Sequence, residues 1–595
     1  MPGAPLLEQD GIAFRDLNKN GRLDPYEDLR RPREERVEDL LGQMTLAEKV
    51  GLMFHAVTGP PGFGVDWPHD QQVAEQHITT FNVYQLPGPR ATADWHNALQ
   101  LHAEGMRLGI PVTISSDPRH AYTDNPAASM MAGEHFSQWP EPIGLGATGD
   151  AELVREFGDV ARQEYCAIGI RIALHPQIDL ATEPRWARIH GTFGEDAELS
   201  GRLGAAYIRG FQGETLGPGS VACMTKHFPG GGPQLDGEDP HFDYGKEQVY
   251  PGGQQEYHLR PFEDALAAGT AQMMPYYGKP VGTEWEEVGF GFNRDVITGL
   301  LRGRYGFDGV VCTDWSLVID DELPWGETLY ARPWGVEELS AEERVLKIVE
   351  AGCDQFGGET CTDILLGLVE AGRISEARID ESARRILRDK FRLGLFDDPY
   401  VDPDAAERIV GNEAFRAAGE RAQRRSLVLL KNDGVLPVEQ RRRLYVEGID
   451  LEVAAAYGEL VDAPEDADLA VIRLHAPYEQ REGFLASIFH AGSLEFPEAE
   501  RERILALLGR VPTVVDIFLD RPAVIPEIAA ASAALIGSFG ASDTAVLDLV
   551  TGRFAPTGKL PFELPSSMEA ARAQLPDVPH DSEAPLFPYG HGLEL

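Results

Sequence analysis

Basic residues are scarce in this chain: 53 lysines and arginines face 96 aspartates and glutamates, a formal charge of −43. A surface that acidic repels phosphate backbones and anionic lipid, so neither nucleic acid nor membrane is an expected partner. Cysteine is scarce too. The five (Cys166, Cys223, Cys312, Cys353, Cys361) are odd in number, contain no CxxC pair and mostly sit in apolar runs. Reduced, buried thiols in a reducing compartment are therefore expected. No apolar run approaches the ~18 residues of a membrane helix. The opening "MPGAPLLEQDGIAF" lacks the basic-then-apolar order of a secretory leader, so a cytoplasmic location is expected. There is no fixed-period repeat and no low-complexity tract.

What the chain does have is apolar residues enough for sizeable cores, 43% of 595 residues. Single cores stop growing near ~250–300 residues, which predicts at least two domains. From about residue 35 to 394 short apolar runs alternate with helical patterns. "IPVTISSD", "IRIALHPQIDL", "VACMTKHF", "TAQMMPYYG", "GVVCTDW" and "AGCDQFGG" are too continuously apolar for a sheet with one wet face. Parallel strands covered on both sides read this way, so the fold class is α/β with an N-terminal (β/α)-barrel. The runs end in Asp117, Lys226–His227, Tyr276, Asp314 and Gln355. Polar residues at the C-terminal ends of barrel strands mark the face that carries active sites. A Pro/Asp-rich passage over 395–412 reads as a linker. Beyond it, over 413–595, "SLVLLKND", "RRLYVEGID", "DLAVIRLHAPYE", "TVVDIFLD" and "AALIGSFG" read as strands of a smaller α/β sandwich.

All eight tryptophans lie in the first 334 residues. Some pack the barrel; Trp315, Trp325 and Trp334 are the best placed to offer flat faces to the C–H faces of sugars. Asp314, at the end of an apolar strand, suits a nucleophile, a general base, a metal ligand or a structural ion pair. Ahead of the barrel, within an N-terminal arm over 1–34, "DLNKNGRLDPYED" has the spacing of a calcium loop: Asp16, Asn18 and Asn20 at positions 1, 3 and 5, Gly21 at the turn, the Arg22 carbonyl at 7 and Glu27 at 12. A second such loop, which sensors usually pair with the first, is absent. The expectation is one structural Ca²⁺; the alternative is a metal-free turn held by Asx hydrogen bonds.

Several of these stretches together resemble family-3 glycoside hydrolases in family order. "GVVCTDW" resembles the family's nucleophile strand, "KHFPGGGP" (226–233) its sugar-binding Lys-His loop, and "EPRWARIHGTFGEDAEL" (183–199) its Arg-bearing loop. "SLVLLKNDGVLPV", "GRFAPTGKLPFELP" and "FPYGHGL" resemble the second domain. The resemblance implies a retaining, exo-acting β-glycosidase with its site between the domains, no catalytic cofactor and a small carbohydrate substrate. A β-glucosidase is the first expectation, with β-xylosidase, β-N-acetylglucosaminidase and a non-catalytic carbohydrate-binding protein as alternatives. By match of motif, Asp314 is the nucleophile. Asp117, Arg188, Lys226 and His227 hold the terminal sugar's hydroxyls, Tyr276 lies near the nucleophile, and Trp315 joins the sugar site. The acid/base is expected from "RLHAPYEQREGF" (473–484), where Glu479 is chosen over Glu482 and Glu495. The N-acetylglucosaminidase branch uses an Asp-Ser-His motif after the Lys-His loop; here Asp236-Gly237-Glu238 stands in that place, without the histidine.

Overall fold

In the computed structural model, which describes residues 3–62, 69–123, 131–322 and 328–595, the first sheet consists of eight parallel strands. They are β1 (Phe54–Thr58), β2 (Thr80–Val83), β3 (Thr113–Ser116), β4 (Ile170–Ala173), β5 (Ala222–Phe228), β6 (Gln272–Pro275), β7 (Val310–Val311) and β8 (Phe356–Gly357). Each pairs with the next from β1 to β7, β8 lies beside β1, and a parallel bridge from Cys312 to Gln355 joins the two ends. The sheet thus closes as the expected barrel. β1 (FHAVT) and β2 (TFNV) escape the apolar-run criterion because they are short and carry polar residues that bond within the barrel. His55 Nε2 meets Ser115 Oγ at 2.7 Å, and Ser115 Oγ donates to Asn82 Oδ1 at 3.1 Å.

Gln355 is a correction. The run "AGCDQFGG" places it among the C-terminal strand ends, yet the strand begins only at Phe356. Its amide donates to the Leu52 carbonyl, ahead of β1, at 3.0 Å, so it belongs to the opposite end. That end is plugged by Lys390, whose ammonium donates to Thr79 O, Pro111 O and Thr113 Oγ1 at 2.7–2.9 Å. Burial pushes this lysine down to about 7.

The barrel helices start where side chains cap them. Asp150 accepts from Glu152 N and Leu153 N to open α1 (Ala151–Ala167), and Asp196 accepts from Leu199 N to open α2 (Ala197–Gln212). These two helices touch at a glycine pair; a Cβ on Gly158 would lie 2.9 Å from Gly210 Cα. The passage read as a linker contains a short helix, Pro403–Ile409, opened by Asp402. Beyond it lies a six-stranded sheet: β9 (Val428–Asn432), β10 (Arg443–Glu447), β11 (Glu459–Leu460), β12 (Leu469–His475), β13 (Thr513–Phe518) and β14 (Ala534–Ser538), in the order β9-β14-β13-β12-β10-β11. Only the β9–β14 pair is antiparallel. A crossover α/β sheet of this kind carries its functional loops beyond the C-terminal strand ends, and here the segments after β12 and β13 meet the barrel mouth.

Candidate active site

Asp117 follows β3, Lys226 and His227 lie within β5, Tyr276 follows β6, Asp314 follows β7 and Arg188 sits in the loop after β4. The barrel therefore brings residues almost 200 positions apart to one end. Lys226 Nζ donates to Asp117 Oδ1 at 2.7 Å. Arg188 Nη1 lies 3.1 Å from His227 Nε2. Because Arg188 can only donate, His227 Nε2 is an acceptor, and the ring proton is on Nδ1, which reaches Asp179 Oδ2 at 2.7 Å. Burial, then Arg188, lower the His227 pKa well below its usual value, so the imidazole is neutral. The Asp179 carboxylate also accepts from His227 N and Gly231 N, and burial raises it to about 6. Asp179 thus sets the tautomer of His227, a role the sequence pattern did not mark.

Asp314 accepts from Trp315 N at 2.9 Å through Oδ1. Its Oδ2 is buried with no hydrogen-bond partner and lies 3.8 Å from His227 Nε2. Since that nitrogen carries no proton, it gives this oxygen no hydrogen bond. The segment behind it is braced by Arg332, which donates to Trp315 O and His241 O, and by the Tyr277 hydroxyl, which donates to Trp315 O at 2.9 Å. Burial and the Asp314 charge push the Tyr277 pKa well up.

Tyr276, expected near the nucleophile, spends its hydroxyl on Asp239 Oδ2 at 2.9 Å instead. Adjacent residues leaving a strand face different ways, so it is Tyr277 that bonds the Asp314–Trp315 segment. Tyr276 still lines the cluster, its ring 4.3 Å from the His227 ring and under the Arg188 guanidinium. Asp239 is a second residue missed. It accepts from Trp186 Nε1, the Tyr276 hydroxyl, and the backbone N and ring Nδ1 of His241, the last at 2.6 Å. Burial works against its charge, and the His241 imidazole, with Arg188, more than reverses this and holds it low. The Arg188 charge in turn is kept against burial by Tyr276, Asp239 and Asp314. A histidine does follow the Lys-His loop, in Asp239-Pro240-His241, three residues later than an Asp-Ser-His motif would put it.

The tryptophans divide. Trp315 is half-buried, its indole laid against Gly357 and Gly358; a Cβ on Gly358 would come 2.4 Å from its Cδ1. Trp334 is buried and donates to Pro240 O at 2.7 Å, a brace between two barrel loops rather than an open platform. Trp67 and Trp325 lie outside the described residues.

The second domain supplies Glu479 after β12. It is exposed, with Oε1 accepting from Ser493 N at 3.1 Å. Glu482 is exposed as well. Next to them Arg481 forms a two-pronged pair with Glu238 of the barrel at 2.6 and 2.8 Å, and the Phe489 ring lies 5.0 Å from His241 and 5.3 Å from Phe242. The segment holding Glu479 thus docks on the loop that carries Asp239 and His241. Glu495 has its backbone bridged to Val524, away from these contacts.

In the N-terminal loop, Asp16 accepts from Asn20 N and Gly21 N, and Glu27 accepts from Leu17 N, Asn18 N and Asp24 N. The amides of Asn18 and Asn20 both meet Asp24 Oδ2, at 2.5 and 2.6 Å. Asp24, at position 9 of the loop, is absent from the ligand set read by spacing. Among the described residues, no three His, Cys, Asp or Glu side chains converge closely enough to hold a metal ion.

Family comparison agrees with this geometry. The model described as the glycosyl hydrolase family 3 N terminal domain matches residues 55–388, and that of the family 3 C-terminal domain matches 450–595. The chain is similar to beta-glucosidase C of Emericella nidulans, 51% identical over 571 residues, covering 94% of this chain and 92% of that protein. It is also similar to a periplasmic beta-glucosidase/beta-xylosidase of Dickeya chrysanthemi, 44% identical over 624 residues, covering 99% and 94%. Among solved structures it is similar in fold to a β-glucosidase from Erythrobacter marinus, with a TM-score of 0.80 at 23% identity over 96% of this chain and 84% of that one.

Proposed function

The chain belongs to glycosyl hydrolase family 3, and from that premise we propose that it is an exo-acting, retaining β-glucosidase with Asp314 as nucleophile and Glu479 as acid/base. The observation that carries this reading is the Asp314 carboxylate: one oxygen fixed by a backbone N–H, the other bare, beside a neutral His227 and the Arg188 guanidinium. Attack by Oδ2 on the anomeric carbon forms a glycosyl ester as the leaving oxygen takes a proton from Glu479. The same residue then removes a proton from the water that opens the ester. Asp117 and Lys226 offer an acceptor and a donor to hydroxyls of the terminal sugar, and Arg188 supplies positive charge against the reacting carboxylate. No cofactor enters these steps.

Aryl β-glucoside turnover is expected to exceed that of the β-xyloside and of the N-acetyl-β-glucosaminide. A xyloside turned over faster would change the sugar, and silence across the panel with sugar binding intact would make this a carbohydrate-binding protein. A second reading rests on the Asp239–His241 pair, which has the form of a proton-transferring dyad and faces the hairpin of Glu479. It assigns proton transfer to His241, and the Glu479 variants discussed below separate the two.

The N-terminal loop we assign to Ca²⁺ through Asp16, Asn18, Asn20, the Arg22 carbonyl and Glu27, with Asp24 added at position 9. Rotating the Asn18 and Asn20 carboxamides would present oxygens where their nitrogens now meet Asp24, in exchange for the bonds that Asn18 Oδ1 accepts from Asn20 N (3.1 Å) and Asn20 Oδ1 from Arg22 N (2.7 Å). The melting temperature is expected to rise by about 2 °C in millimolar calcium over chelator. Coincident melting curves would leave the loop as a metal-free turn.

A further inference from the structure

Glu479 stands on a hairpin of the second domain, yet it has to meet a sugar held in the first. The two legs of that hairpin pair through a bridge between Glu479 and Ala491, Glu479 N donating to Ala491 O at 2.9 Å. Between them the chain is exposed or half-buried except at Phe489, with a single helical turn over Phe484–Ser487.

What grips both legs is a side chain just beyond the end of β13. Arg521 is fully buried. Its Nη2 donates to Pro477 O (2.7 Å), Ala491 O (3.0 Å) and Ser493 O (2.8 Å), and its Nη1 to Gly492 O and Arg185 O, both 3.0 Å. Four of these carbonyls belong to the legs flanking Glu479. The fifth lies in the barrel loop that carries Arg188. Asp520, its neighbour, accepts from His490 Nδ1 at 2.5 Å, and the His490 ring stacks at 3.8 Å on Tyr478, next to Glu479. A guanidinium without a carboxylate directly bonded to it is costly to bury, and burial pushes this one down to about 10. A planar fork can share its protons among five carbonyls in one layer; a lysine ammonium, a single point, cannot.

We propose that Arg521, with Asp520 beside it, is the positioning residue of the acid/base: it locks the Glu479 hairpin as one unit and ties it to the barrel loop of Arg188. This rests on the reading of Glu479 as the acid/base. Arg521 is sealed from solvent, so its effect passes through Glu479 and not through the sugar.

Arg521→Lys separates positioning from mere folding. Dinitrophenyl β-glucoside needs no proton on its leaving group, so its kcat/KM is expected to change less than about 3-fold, because Asp314 is untouched. Cellobiose, with a poor leaving group, is expected to lose about 30-fold or more, part of the 10²–10⁴ that a placed general acid supplies. Equal losses on both substrates would overturn the proposal. If the lysine variant does not fold, Asp520→Asn releases the same hairpin through His490, and the same split is expected of it. Glu479→Gln, measured alongside, distinguishes the readings. If it shows the split and the Arg521 and Asp520 variants do not, positioning fails alone; if it shows none, the acid/base assignment fails and this proposal with it.

Discussion

Asp314→Ala is expected to cut kcat/KM on an aryl β-glucoside by about 10⁴-fold or more while the protein melts at the same temperature or higher. The first half follows from the proposed role of Asp314 as the nucleophile; nucleophile deletions elsewhere cost this much or more. The second half follows from Oδ2, a buried carboxylate oxygen without a hydrogen-bond partner. Leaving such a group unsatisfied costs about 1–3 kcal/mol, so removing it should relieve the fold. In the variant Arg332 and Tyr277 keep the Trp315 carbonyl as a partner, and Arg188 keeps Asp239 as an opposing charge, so the segment stays braced. Activity and melting temperature measured on one preparation check both halves. A variant retaining more than about 1% of activity would move the nucleophile elsewhere.

Glu479→Gln is expected to lower turnover of cellobiose by about 10²–10⁴-fold, the range that a positioned general acid and base supplies. With a dinitrophenyl glucoside the first step survives, and the second, which needs a base, becomes limiting. Azide requires no base, so adding it should restore turnover and yield the β-glucosyl azide. His241→Gln is the companion variant. Should azide restore nothing in Glu479→Gln while the leaving-group dependence appears in His241→Gln, the dyad with Asp239 is the proton donor and Glu479 is an exposed loop carboxylate.

How much of this could be read from the residues alone depends on how each signal is written. The barrel was legible because strands sheathed in helices must be apolar on both faces, which writes continuous runs such as "GVVCTDW" into the chain. That Asp117, Lys226, His227 and Asp314 gather at one end of the barrel was legible for the same reason: a charged residue ending an apolar run has few places to point. The family motifs were found as local strings. The calcium-loop spacing was also local, yet spacing could not report that Asp24 gathers both asparagine amides.

Illegible were the residues that act through partners far along the chain. Asp179 lies 48 positions before His227 and chooses its tautomer. Asp239 joins Trp186, Tyr276 and His241. Tyr277, not Tyr276, bonds the Trp315 carbonyl beside Asp314 because a one-residue step changes the face, and no composition rule says which of two adjacent tyrosines turns that way. Gln355 looked like a strand end until the register put it ahead of Phe356.

The sequence by itself determined the class of fold, the family and the chemical alphabet of the site, because hydrophobic period and local motif are properties of consecutive residues. Only the tertiary structure decided which nitrogen of His227 carries the proton, which tyrosine bonds the segment of Asp314 and how the second domain grips the first. Each of those is a hydrogen bond between residues brought together by barrel closure and domain packing, and a hydrogen bond depends on distance and direction, which the order of residues does not state.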